Sequence, residues 1–379
     1  MTDTAPIRSL TEAMDYFDAV MSRHPGRDAF AAYAAAREGR RRPHSGLVLL
    51  HLVVPDDMAE NVDEFSLPEV ATPKTPAGDL ARDVINLLEP LKMLNPVATC
   101  FGLGQGSESM APSFGIPLNP EAQNAPAFNK PIDRILAEPP PNTENSGLFP
   151  EMRERIERIK AHCPPRFKIG FPGLQGPFNI AHAIAGSEVF TAPLDDIGKW
   201  NALMERITTF WIEARRTLLR WIGEDRLSPT PDTWEPRITE CSCNLVSADF
   251  YEEFVLPHDR RIAAAFGPVH IHPCSGPHIF HATLENLPVF ATEAGYIAQT
   301  AAGAISVDDA LAAIGKRPIL LHIGQELPEG REFEFICRDF DRYRENPRLL
   351  FAYAGMHWRR KDRPRIREIH RRLDDYWRP

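Results

Sequence analysis

Two rhythms of apolar residues alternate along this chain. Eight short runs, β-branched or aromatic and mostly bounded by Pro or Gly, have the length of buried strands. They are Leu47 to Val54, Pro96 to Phe101, Phe167 to Phe171, Pro236 to Cys241, Val269 to Ile271, Pro288 to Glu293, Pro318 to Ile323 and Leu349 to Tyr353. Between them lie stretches of helical period. Leu10 to Arg23 is amphipathic and follows Ser9-Leu-Thr-Glu12, which has the form of a capping box. Asp28 to Glu38, Asp79 to Met93, Phe149 to His162, Val307 to Ile314 and Phe333 to Tyr343 also read as helices. Phe250 to Phe266 is a further helix, in which Pro257 predicts a kink. The longest helical pattern, Asp195 to Gly223, puts Trp200, Leu203, Ile207, Phe210 and Trp211 on a stripe that reads as core.

Strands mostly separated by helices predict an α/β fold, a closed parallel (β/α)8 or TIM barrel. A doubly wound sheet has the same periodicity and is the alternative. The chain then divides into an N-terminal helical extension, residues 1–45, and a barrel, residues 46–379. A barrel gathers the polar residues just past each strand on one face, where active sites of that architecture sit.

Composition narrows the function classes. The 379 residues are 43% hydrophobic and 25% charged, the mix of a soluble globular protein, and 43 Lys and Arg against 52 Asp and Glu give a formal charge of −9. That balance argues against a general nucleic-acid binder. The Arg-rich tail from Trp358 to Pro379 reads as a solvated or subunit-facing surface. No apolar run approaches the roughly 20 residues that span a bilayer, and Met1 to Leu10 lacks a signal-peptide core, so the expectation is a cytoplasmic protein with no membrane partner. Six scattered cysteines do not frame a disulfide scaffold.

The candidate chemistry lies at the strand ends. In Pro268-Val-His-Ile-His-Pro-Cys-Ser-Gly276, His272 and Cys274 leave the fifth strand on one side, because residues two apart in an extended chain share a face. Imidazole and thiolate together are the ligands of a mixed nitrogen and sulfur zinc site. Glu240, Cys241 and Cys243 follow the fourth strand. Cys243 or Cys241 is the candidate third metal ligand, with at most one reaching the ion. Glu293 ends the sixth strand; with Glu240 it is a candidate catalytic carboxylate, as ligand or as base. Gln175 after the third strand and Ser107 after the second are candidate substrate or cofactor contacts. The run Gly102-Leu-Gly-Gln-Gly-Ser107 lacks dinucleotide-fingerprint spacing and reads as a loop that closely approaches a ligand. His270, one layer below His272, reads as a hydrogen-bonded core histidine.

These landmarks resemble the uroporphyrinogen decarboxylase superfamily, which includes zinc-dependent, corrinoid-linked methyltransferases and is similar to cobalamin-independent methionine synthase. The resemblance spans roughly residues 95 to 357. It rests on Phe101-Gly-Leu-Gly with Ser113-Phe-Gly115, on Gly173-Leu-Gln-Gly-Pro177, on Leu245-Val-Ser-Ala-Asp-Phe-Tyr-Glu-Glu-Phe-Val-Leu-Pro257, and on His272-Pro-Cys274. It implies zinc bound by His272 and Cys274, and a glutamate ligand at Glu293. It further implies methyl transfer between a corrinoid or folate carrier and a small thiol, with a corrinoid protein as partner and a homodimer as the assembly. The chain departs from the family pattern where Ala354 precedes Gly355, a place at which the methyltransferases carry a zinc cysteine. The decarboxylase's N-terminal arginine motif has no clear counterpart either. A cofactor-free decarboxylase or lyase, and a non-catalytic corrinoid or tetrapyrrole binder, are the alternatives that the resemblance leaves open.

Overall fold

The computed structural model describes residues 8–23, 31, 34–35, 38, 49–53, 88, 100–103, 110–119, 125–229, 235–272, 276–294, 305–323, 327–328, 330–343, 346, 349–357 and 363–376. Eight parallel-sheet strands fall at the eight apolar runs: β1 (Leu49–Val53), β2 (Cys100–Phe101), β3 (Lys168–Ile169), β4 (Arg237–Thr239), β5 (Val269–His272), β6 (Val289–Ala294), β7 (Leu320–Ile323) and β8 (Leu349–His357). The fold is mixed α/β. Six strands form one sheet in the order β1-β8-β7-β6-β5-β4, and β2 pairs with β3 in a separate parallel ladder. The first strand thus lies against the last, with Leu49 opposite Ala352. Among the described residues no ladder joins β1 to β2 or β3 to β4. The loop after β3 spans the second gap, where the Gly176 N–H donates to the Thr239 carbonyl at 2.8 Å. A ring closed by ladders all the way round is therefore not traced.

The helices begin and end where side-chain chemistry dictates. At the start of α1 (Leu10–Arg23) Ser9 Oγ accepts the Glu12 N–H at 3.1 Å. The Glu12 carboxylate turns back to the Arg8 N–H rather than to that of Ser9, so the predicted capping box is half formed. Helix α2 spans Phe149–His162, and α3 spans Pro177–Ala185 with Pro177 in its first turn, where a missing N–H costs nothing. Helix α4 (Ile197–Ile222) starts at Asp196, whose side chain accepts the Lys199 N–H, and buries Trp200, Leu203, Ile207, Phe210 and Trp211 as the stripe predicts. Phe210 meets Phe114 and Phe149 edge-on at 5.9 and 5.4 Å. Such ring pairs add about 1 kcal/mol each beyond the area they bury.

The stretch from Phe250 to Phe266 departs from a simple kinked helix. A π turn, Tyr251–Val255, precedes α5 (Leu256–Phe266), and Pro257 sits in the first turn of α5. Proline has no N–H to donate back, and the wider turn absorbs the missing bond. Beyond β5 come α6 (Pro277–Asn286), α7 (Val307–Ile314), α8 (Glu332–Tyr343) and α9 (Arg363–Tyr376). The helix expected over 79–93 and most of that over 28–38 lie outside the described residues. Among the described residues no helix is long and apolar enough to cross a membrane.

Candidate active site

In a parallel sheet alternate residues share a face, and the register aligns Arg237 with His270, Thr239 with His272, and Glu293 with His322. Side chains of four neighbouring strands thereby meet in a polar layer, while Ile238, Ile271, Thr292 and Leu321 are buried in alternation with them. Glu293 is the hub. Its carboxylate takes a short hydrogen bond from His272 Nδ1, lies 2.9 Å from Arg237 Nη2, and lies 3.0 Å from His270 Nε2. The His270 ring in turn stands 5.4 Å from that of His322. Burial pushes the Glu293 carboxyl up, but the Arg237 guanidinium with His272 and His270 outweighs it and holds the group well below the usual carboxylate range. Arg237 Nη2 also lies 3.0 Å from His272 Nδ1. One nitrogen cannot donate to Glu293 and accept from Arg237 together, and the nearer, charged carboxylate assigns the proton to Nδ1.

Above this layer is a cavity of about 240 Å³, lined by Phe171, Leu174, Gln175, Trp211, Arg215, Arg237, Thr239, Cys241 and His272 among others. Gln175 is held in the left-handed region at φ 59°, uncommon for a residue with a side chain. Two bonds fix it there: Trp211 Nε1 donates to its carbonyl at 2.8 Å, and Asn179 Nδ2 donates to its Oε1 at 2.6 Å. Arg215, 3% exposed, stacks over Phe171 and Phe266 with its guanidinium carbon 4.8 and 5.4 Å from the ring centres.

A second polar cluster lies in the protein core. Glu240 accepts the N–H groups of Phe178 at 3.0 Å and Asn179 at 2.8 Å, capping α3. Only glycine fits at 176, where a Cβ would stand 2.2 Å from the Glu240 carboxyl. Behind it Tyr251 donates to Asp259 at 2.8 Å. Here the carboxyl groups move the other way. Burial first, and then the Asp259 charge, push Glu240 well above its ordinary value, against the two N–H bonds it accepts. Burial pushes Asp259 up to about 7, against its bonds to Tyr251 and Glu240. Burial and these two carboxyls raise the Cys243 thiol well above its usual range as well.

The structure therefore brings together His272, Glu293, Gln175 and Cys241, and places Glu240 and Cys243 in the core cluster instead. Cys243 is a free, fully buried thiol, while Cys241 lines the cavity and is disulfide-bonded. Ser107 and Cys274 lie outside the described residues. Among the described residues no group of three or more His, Cys, Asp and Glu is arranged to hold a metal ion. The residues that do line the cavity fit one in part. His272 has its Nδ1 held by a buried carboxylate, as metal-ligating histidines do, which leaves Nε2 as the ligating atom; Cys241 stands in the same wall and could ligate only as the reduced thiolate. Arg237, Arg215 and Asp259 were not singled out from the sequence. The one available signal was an arginine inside an apolar strand, at 237.

No protein-family model matches the chain, and no curated protein matches it in sequence. Solved structures do. A methyltransferase from Methanosarcina mazei superposes with a TM-score of 0.60 over 91% of this chain and 97% of its own, at 12% identity. A candidate vitamin-B12-independent methionine synthase from Listeria monocytogenes gives 0.40 over 64% and 73%, also at 12% identity. The first likeness establishes a shared fold.

Proposed function

We propose that this chain is a methyltransferase that delivers a methyl group to a small thiol, and that its strands form an eight-stranded (β/α)8 barrel around the site. The observation that carries the reading is the cavity wall in which His272, oriented by Glu293, stands with Cys241. The near end-to-end likeness in fold to a methyltransferase supports it. Once the Cys241 disulfide is reduced, zinc would be held by His272 Nε2 and the thiolates of Cys241 and Cys274, with Cys241 taking the part of the cysteine that Ala354 replaces. When bound, such an ion lowers the pKa of a thiol entering its open position. The chain's own residues supply the rest. Glu293 keeps the proton on His272 Nδ1 and fixes the ring plane, Arg237 keeps Glu293 ionised, and Phe171 and Trp211 exclude water from the reacting sulfur. About 240 Å³ suits a small acceptor rather than a macrocycle. A methylated corrinoid would accordingly come from a partner protein, and a homodimer is the proposed assembly.

Reduced protein purified without chelator tests this. It should contain about one zinc per chain, and His272→Ala and Cys241→Ser should each lose the metal together with methyl transfer from methylcobalamin to a thiol. Metal-free protein, or metal retained in both variants, ends the proposal.

A further inference from the structure

Gln175 and Cys241 line the cavity from the loops after β3 and β4, and both loops are fastened to one residue of α3, Asn179. Its backbone N–H donates to the Glu240 carboxylate at 2.8 Å, and its Oδ1 accepts the Ser242 N–H at 2.6 Å. Cys241 stands between those two partners in sequence, so the chain is gripped on either side of it. The second bond answers a local need. Cys241–Leu245 is a 3-10 helix whose first internal bond is the Cys243 N–H on the Glu240 carbonyl, so the Ser242 N–H at its start takes its acceptor from outside. A backbone N–H can only donate, which fixes the Asn179 amide. Its Oδ1 faces Ser242, and its Nδ2 donates to Gln175 Oε1 at 2.6 Å. The three bonds set two wall loops relative to one another. Outer contacts of this kind orient the groups that bind a metal.

We infer that Asn179 is a positioning residue, which through its bond to Ser242 holds Cys241 in the cavity wall that also contains His272. Its effect on a metal rests on the methyl-transfer reading above; its effect on where Cys241 sits does not.

Asn179→Ala keeps the backbone bond to Glu240 and removes both side-chain bonds, whereas Asn179→Asp keeps an acceptor oxygen for Ser242. Two measurements on the full, reduced chain compare them. One is zinc affinity, by competition with a chromophoric chelator. The other, made before zinc is added, is the rate at which iodoacetamide alkylates Cys241, with the free Cys337 thiol as internal control. Asn179→Ala should weaken zinc about tenfold or more. It should speed Cys241 alkylation about three- to tenfold, the worth of one hydrogen bond, and leave Cys337 unchanged. Asn179→Asp should stay within about twofold of wild type on both. The inference is overturned if Asn179→Ala matches the wild type on both measurements, if Cys337 speeds up along with Cys241, or if Asn179→Asp is as impaired as Asn179→Ala. Should Asn179→Ala not fold, Asn179→Ser takes its place, because a serine hydroxyl closes on its own helix instead of reaching across. The two readings fail differently. If the wild type takes no zinc, the metal reading falls and the alkylation rates still decide the role of Asn179. If the wild type and Asn179→Ala bind zinc equally and alkylate equally, the positioning role falls and the metal reading stands.

Discussion

The Glu293 layer and the Glu240–Asp259 cluster are both buried, and both contain carboxyl groups with hydrogen-bond donors, yet their acids move in opposite directions. Burial pushes each of these carboxyls up. What differs is a cation. Arg237 reaches Glu293 at 2.9 Å, while the partners of Glu240 and Asp259 are backbone N–H groups, a phenol and each other. Neutral donors offset desolvation only partly. One cluster is consequently a fixed charge that orients His272, and the other is a proton store that holds α3 against α5.

Removing the hub should have the largest effect. Glu293→Ala leaves Arg237 beside His270 and His272 with the buried counter-charge gone, and should lose about 3–5 kcal/mol in urea unfolding. A loss below about 1 kcal/mol would place the pair effectively in solvent.

Asp259→Asn sharpens the contrast through pH. A raised folded pKa contributes stability that is fully present below the unfolded value, near 3.8, and is lost as pH rises through about 7. Glu293, with its folded pKa depressed, contributes stability present above 4.5 and lost only as pH falls below that. Between pH 5 and 8 the wild type should therefore lose stability relative to Asp259→Asn as pH rises. Urea midpoints measured at both ends of that window check it, and parallel profiles would show that Asp259 is ionised throughout.

The smallest effect concerns the wall between the clusters. Gln175 is left-handed and bonded to Asn179, which also donates its backbone N–H to Glu240. Gln175→Gly and Gln175→Ala lose the same side-chain bond, but only alanine keeps the strain. The glycine variant should be the more stable by about 1 kcal/mol in thermal melts. Equal stabilities would mean that the loop relaxes once Asn179 lets go.

Strands and helices were legible because their periods depend on local geometry, and Leu10–Arg23, Phe149–His162 and Val307–Ile314 begin and end where the pattern does. The site was legible only where a residue's role follows from its place at a strand end, as for His272 and Glu293. Arg237 finds Glu293 56 residues further on, and no local pattern specifies that pairing. The two cysteines after β4 show a different limit. Alternation puts Cys241 and Cys243 on one face if the chain stays extended, but it turns into a 3-10 helix over Cys241–Leu245. At three residues per turn, positions two apart diverge. One sulfur goes to the cavity and the other into the core.

The pairing of the first strand with the last has a consequence for biosynthesis. Leu49 meets Ala352, 352 − 49 = 303 residues later. Among the described residues β1 has no other sheet neighbour. In a nascent chain β1 therefore emerges roughly 300 residues before β8, its sheet neighbour among the described residues. Until that strand is made, ribosome-bound intermediates must be shielded against edge-to-edge association along β1.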